Sequence, residues 1–377
     1  MDLPPFLLDN WLSAYDFAQT PIAFNLASST GPRWSVAEVA ALGAKRPPID
    51  ATVLSYAPPD GGRELREAIA DFQEVDRSSV VVTTGSSEAL SILLCLHSRP
   101  GGNVVTPDPG YPAYAAMAKA WGLANRLYPL TPEAGFAQEA DAVLAATDAD
   151  TIAVIINTPH NPTGSVMART EIERLARHLK PRGIPLIVDE VYHPLYFGQV
   201  QPSAAGIDGV VVTSDLSKAF SLPGLRTGWI VDLDATRRSR VIDARSYFTI
   251  SGSPLTEVLA AHALRERHQI LSRLDLVAAA NRARLNDMIA MTDGILSWVP
   301  PRGGTTCFPW FTDGRDSRPF SRELADSGVL VAPGDCFNHP AHLRIGFAQQ
   351  ADDFDVALAM ILKLCSNAIP ARRISGS

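Results

Sequence analysis

Five lysines stand among the 33 lysine and arginine residues of this 377-residue chain, and one of them, Lys218, falls in the stretch TSDLSKAFSLPGLRTGW. In an electropositive or desolvated site a lysine amine loses its proton and condenses with an aldehyde, whereas a guanidinium keeps its charge and cannot. Arg226, eight residues further on, adds a guanidinium that keeps its charge and can fork an anion. Asp189 follows the apolar run IPLIV, so it is an anion at the end of a buried strand and needs a cation opposite it to stay charged. Asn161 in NTPHNPTG and Tyr192 in VDEVYHPLYF put hydrogen-bonding groups at two further strand ends. Gly85, Ser86 and Ser87 stand where a strand turns into a helix, which offers an anion both backbone N–H groups and hydroxyls. Tyr111, in the Pro-rich PDPGYPAY, supplies an aromatic face, and Arg344 in HLRIGFA a guanidinium suited to a planar carboxylate.

Other chemistries lack their residues. No GxGxxG follows a strand, and neither GxxxxGK[ST] nor HExxH occurs, so nicotinamide, P-loop and zincin readings have no support. A Ser-x-x-Lys acyl-enzyme site needs serine at position 215, which is Asp215, and no GxSxG elbow exists. Cys95, Cys307, Cys336 and Cys365 are far apart and form no CxxC pair, so neither a disulfide framework nor a zinc site is expected. His339 and His342 lack a third ligand.

The elements that must position these residues are legible. Between about residues 62 and 232, helical patterns alternate with the β-branched runs SSVVVTTG, NVVTPDP, DTIAVIINTP, IPLIVDEVY, DGVVVTSD and TGWIVDL. Such alternation predicts an α/β fold with a mostly parallel sheet covered on both faces by helices, where ligands bind at the strand ends. GGRELREAIADFQEV and SSEALSILLCLHS read as helices, and PLTEVLAAHALRERHQILSRLDLVAAANRARLNDMIAM as one or two more. LSWVPPRGGTTCFPWF, GVLVAPGDCF and HLRIGFA read as short strands of a smaller α+β domain closed by the helix ADDFDVALAMILKLCS. The first forty-odd residues read as irregular and Pro-interrupted, and AIPARRISGS as a frayed tail.

NPTG, DEVY and SK followed by GLRTGW occur in order at family-like intervals, and with them the chain resembles the class I/II aminotransferases, pyridoxal-phosphate enzymes of fold type I, from LSYAPPDGG to LRIGFA. The resemblance implies a large domain with a seven-stranded sheet over residues 46–272. A smaller C-terminal domain over 273–377 completes it, with residues 1–45 forming an N-terminal arm and part of that small domain. It implies that Lys218 carries pyridoxal 5'-phosphate, that Asp189 faces the ring nitrogen and Tyr111 the ring, and that Asn161 and Tyr192 reach its 3-oxygen. Gly85, Ser86, Ser87, Ser217 and Arg226 would hold the phosphate, as would Tyr56 of a neighbouring subunit, which implies a homodimer with shared active sites. Arg344 would hold the substrate α-carboxylate, with Asn161, Ser29 and Gly31 at the substrate.

Asp215 departs from the pattern, since many relatives have serine three residues before the lysine as a phosphate ligand. An aspartate facing phosphate is repelled by several kcal/mol at an effective dielectric of about 20, so Asp215 is expected to point elsewhere or pair with a cation, with Ser217 or the SGS stretch Ser251 to Ser253 of a neighbouring subunit compensating. Arg245 is a candidate second arginine for a dicarboxylate, although a solvated helix-face residue is the commoner reading, and His193 and Tyr247 are candidate pocket residues.

The expected activity is therefore transfer of an amino group between a free L-amino acid and a 2-oxo acid. The alternative on the same scaffold is elimination, replacement, oxidation or cyclisation, for instance of a modified arginine. A silent ligand-sensing half of a transcription regulator is disfavoured, because no helix-turn-helix pattern or basic excess precedes Tyr56. A net charge of −7 argues against nucleic-acid or membrane-surface partners. Prolines and acidic residues early in MDLPPFLLDNWLSAYDFAQT do not suit a signal peptide, and no apolar run is long enough to span a bilayer, which makes the cytoplasm the expected location.

Overall fold

The β-branched runs do form one sheet, in a computed structural model that describes residues 3, 5–16, 18–19, 21–349 and 352–367; the AIPARRISGS tail lies outside them. Its seven strands, numbered along the chain, are β1 Val80–Thr83, β2 Asn103–Asp108, β3 Ala124–Pro129, β4 Thr151–Asn157, β5 Leu186–Asp189, β6 Val210–Asp215 and β7 Gly228–Asp232. Their spatial order is β1-β7-β6-β5-β4-β2-β3. All neighbours run parallel except β7, which is antiparallel to both β1 and β6. β3 has no counterpart among the runs read from the sequence. Its residues ANRLYP are mostly exposed at the sheet edge, so it needed no apolar pattern.

Alternate residues of the central strands feed two different cores. Val80, Val82, Ile156, Val188 and Val212 pack with the helices Arg63–Gln73, Arg169–Leu179 and Pro254–Arg265. Val81, Ile155, Ile187 and Val211 pack on the opposite face with Gly85–His97, Ala113–Ala120 and Ala235–Arg245. Burial on both faces is why these strands read as continuous apolar runs rather than alternating ones. The 24-residue helix Arg267–Ala290 leads out of this unit, with Ile270 in the large core and Leu274, Ala278 and Leu285 in a third core. That third core also holds Leu343 and Ile345 of the strand Leu343–Gly346 and residues of the helices Ser317–Asp326 and Phe354–Asn367.

The N-terminal residues are more regular than the sequence suggests. Leu7–Asp16 is a helix, and Val36–Ala40 a second one started by a capping box between Ser35 and Glu38. Trp11 is buried and its indole N–H donates to the Val331 carbonyl at 2.9 Å, while Phe24–Asn25 pairs in parallel with Val329–Leu330. The Leu8, Trp11, Leu12 and Tyr15 spacing is helical, but the flanking prolines masked it. Among the described residues no helix is long and apolar enough to cross a membrane.

Candidate active site

Parallel strands in register bring their carboxyl ends to one line. Asn157 lies opposite Asp189, and Asp189 opposite Thr213, so the loops after β4, β5 and β6 deliver Asn161, Tyr192 and Lys218 to a common place. The reversed β7 starts at the same end, which sets Arg226 beside the loop after β1. A cavity there is lined by Lys218, Asp189, Tyr111, Asn161, Tyr192, Ser86, Ser87, Ser29 and Arg344 among the residues singled out from sequence.

Lys218 donates from Nζ to Ser29 Oγ at 2.8 Å. Burial lowers its amine to about 8, with Asp215 opposing that shift and the charges of Arg344 and Arg226 adding to it. A neutral amine, the reactive form, is thus accessible near neutral pH. Asp189 is 3 % exposed and pushed up to about 7 by burial, although the Tyr114 hydroxyl donates to its Oδ2 at 2.6 Å. Such a carboxylate gains its full charge when a cation is set against it.

Asn157 fixes its neighbours through both ends of its amide. Its Nδ2 donates to the Asp189 carbonyl at 2.9 Å, and its Oδ1 accepts the Asn161 N–H at 2.7 Å. Arg344 is 2 % exposed; Nη2 donates to the Ala27 carbonyl at 2.7 Å and Nη1 to Asn161 Oδ1 at 3.3 Å, while Nε has no partner. Phe337 lies under its guanidinium at 5.1 Å. Tyr111 meets Tyr114 edge-on at 5.6 Å between centroids, and burial raises its hydroxyl. Burial also lifts the Tyr192 hydroxyl to about 12, against the Arg344 charge.

The helix Gly85–His97 begins at the cavity. Gly85 has φ +77°, and a Cβ on it would stand 2.6 Å from Arg226 Nη2; a Cβ on Gly228 would meet the Gly85 carbonyl carbon at 2.6 Å. Both close approaches require glycine, and together they let Arg226 lie against the helix N-terminus. Arg226 itself has φ +48°, a left-handed conformation that arginine adopts only when its surroundings impose it.

Asp215 corrects the expectation drawn for it. Its carboxylate turns into this cup, accepting the Ser86 N–H at 3.3 Å and the Ser217 N–H at 2.8 Å. No ion pair holds it among the described residues; two backbone donors do so instead, in the field of Lys218. Ser217 is buried and gives Asp215 its N–H without lining the cavity, while Ser86 Oγ is buried with no partner.

Several other expected residues lie elsewhere. Gly31 packs on Ser221 and Leu274, outside the cavity, because the loop that places Ser29 there turns away after Thr30. Tyr56 is 82 % exposed on the surface of this chain. Arg245 is neither a pocket residue nor solvated. It is fully buried, with Nη1 donating to the Pro59 carbonyl at 2.6 Å and Nε 3.7 Å from Glu88. Tyr247 is exposed, and His193 packs beside Tyr196. Tyr114, Asn157 and the N-terminal Leu8, Asp9 and Leu12, which do line the cavity, carry no role in the sequence reading. Asn157 is the first asparagine of the NTPHNPTG stretch, whose second, Asn161, was the one singled out.

The cluster fits pyridoxal phosphate. A low-pKa amine, a buried carboxyl for a ring nitrogen, an unpartnered serine hydroxyl at a helix N-terminus and an adjacent guanidinium are the groups that an anionic pyridine aldehyde requires. The family model for aminotransferases of class I and II matches residues 31–361. Over 370 residues the chain is 34 % identical to a capreomycidine synthase of Streptomyces vinaceus, covering 95 % of this chain and 93 % of that one. It is 32 % identical over 378 residues to a valine–pyruvate aminotransferase of Mycobacterium tuberculosis, covering 95 % and 96 %. The crystal structure of the pyridoxal-phosphate-dependent cyclase OrfR superposes with a TM-score of 0.87 at 27 % identity, covering 98 % of this chain and 99 % of that one.

Proposed function

The chain belongs to the class I and II aminotransferases, and from that premise we propose that it transfers the amino group of a free L-amino acid to a 2-oxo acid, with Lys218 as its catalytic base. The observation that carries this reading is the half-buried Lys218 amine, bonded to Ser29 Oγ at 2.8 Å and lowered to about 8, in one cavity with Asp189 and Arg344.

Pyridoxal phosphate, when bound, supplies an aldehyde that joins to amines and a ring that draws electrons from the substrate α-carbon. The residues of the chain do the rest. Asp189, held by Tyr114 and by the Val191 N–H, would keep a proton on the ring nitrogen. Tyr111 would cover the ring face, and Asn161 and Tyr192, which line the same cavity, would donate to its 3-oxygen. Ser86, Ser87 and Arg226 would hold the phosphate. Arg344 takes the α-carboxylate through its unpartnered Nε and orients the Cα–H bond toward Lys218. Lys218 Nζ would then take up the Cα proton, with the amine held by its hydrogen bond to Ser29 Oγ.

The exposed run of Val53, Leu54 and Tyr56 supports a two-fold dimer in which Tyr56 serves the other subunit's phosphate. We place the cofactor-binding domain at 46–272 and the protein in the cytoplasm. A second reading, cyclisation of a modified arginine, is favoured by Asp215 in the phosphate cup together with the likeness to a synthase and a cyclase. An amino-acid panel assayed with and without a 2-oxo acid acceptor separates the two. A transferase forms a new amino acid from the acceptor and stops without it, whereas a cyclase turns over in its absence.

A further inference from the structure

We infer that Asp9, on the N-terminal helix Leu7–Asp16, receives the far end of the substrate side chain and selects amino acids that carry a cationic group there, a guanidinium or an ammonium. This rests on the reading above, in which Arg344 holds the α-carboxylate and Lys218 faces Cα.

Three carboxylates line the cavity, and two are committed. Asp189 accepts the Tyr114 hydroxyl and the Val191 N–H, and Asp215 accepts the N–H groups of Ser86 and Ser217. The described residues give Asp9 neither a hydrogen bond nor an ion pair. The charges that face it are those of Lys218 and Arg344, both of which the proposed reaction engages with other groups. Bound substrate therefore leaves Asp9 as the cavity's uncommitted anion, on an exposed position at its rim. A cationic side chain neutralises it, a neutral one leaves it unpaired, and a carboxylate is repelled.

The surroundings suit a long side chain. Leu8 and Leu12, on the same helix, line the cavity beside Asp9 and offer an apolar wall to methylene groups. The helix is fixed by the Trp11 indole on the Val331 carbonyl and by the Arg318 guanidinium 5.2 Å from the Trp11 ring. The position of Asp9 is thus set by the packing of the arm on the smaller unit.

L-Arginine and its uncharged isostere L-citrulline isolate the charge. Calorimetric titration of the cofactor-loaded Lys218→Ala protein, which reads binding without turnover, should give L-arginine the tighter Kd by at least about fivefold. Adding Asp9→Asn should erase that preference while leaving the citrulline Kd unchanged, which also shows that the variant is folded. Equal affinities with Asp9 present, or a preference that survives Asp9→Asn, would overturn the inference. A selective Kd in a holoenzyme that passes no amino group to any acceptor would instead count against the proposed reaction alone.

Discussion

On the proposed reading Asp215 sets a carboxylate beside the phosphate site, and the Ser86 N–H it accepts is one that an anionic ligand would otherwise use. Two unit charges ~4 Å apart at an effective dielectric near 20 repel by about 4 kcal/mol, so a phosphate bound there would be held less tightly than with a neutral residue at 215. Asp215→Ser should tighten cofactor binding by about tenfold or more, read by equilibrium dialysis of pyridoxal phosphate; unchanged or weaker binding would show that Asp215 yields its place on binding. Lys218, Asp189, Asn161, Tyr192 and Arg344 were visible in the sequence because imine formation, a buried counter-charge and a carboxylate fork each restrict the residue type. Tyr114, Asn157 and Asp9 were not. The first two act through partners on neighbouring strands or loops, and the third through the packing of a helix far away in sequence.

Strands β4 to β6 were legible because burial on both faces leaves continuous apolar runs, while the exposed edge strand β3 and the proline-flanked helix Leu7–Asp16 carry no such signal. The helix Ala235–Arg245 illustrates a second limit, since nothing local marks its last residue as buried. Arg245 reaches the Pro59 carbonyl, and Glu88, its partner, accepts the Thr84 N–H and the Thr249 hydroxyl. The pair ties the start of helix Gly85–His97 to the loop that carries Tyr56, and so couples the phosphate cup to the exposed Val53, Leu54 and Tyr56 run. Arg245→Met should destabilise the protein by about 3–5 kcal/mol in urea unfolding, because it strands a buried carboxylate, and Arg245→Met combined with Glu88→Gln should recover much of that loss. A single variant as stable as the parent would mean that water reaches Glu88.

Across the whole molecule the buried site shapes the pH dependence of stability. In the cofactor-free protein Asp189 titrates near 7 against an ordinary value of 3.8, so the folded chain holds a proton that the unfolded chain has released. That contribution is complete below about pH 4 and is lost as pH rises to about 7. Lys218, lowered to about 8 from 10.5, acts in the other direction, and stability returns as pH rises between those values. Melting curves should therefore show Asp189→Asn gaining on the parent from pH 4 to 7, and Lys218→Met losing ground to it above pH 8; pH-independent differences would place both groups in contact with water. The small unit and the N-terminal arm converge on the cavity through Arg344, Ser29 and Asp9, an arrangement that local sequence patterns do not encode. The central claim is that Lys218 is the residue joined to the cofactor. Borohydride reduction of the holoenzyme followed by peptide mass mapping tests it: the account predicts a pyridoxyl group on the peptide containing Lys218, and its appearance on Lys45, Lys119, Lys180 or Lys363, or on no lysine, would contradict it.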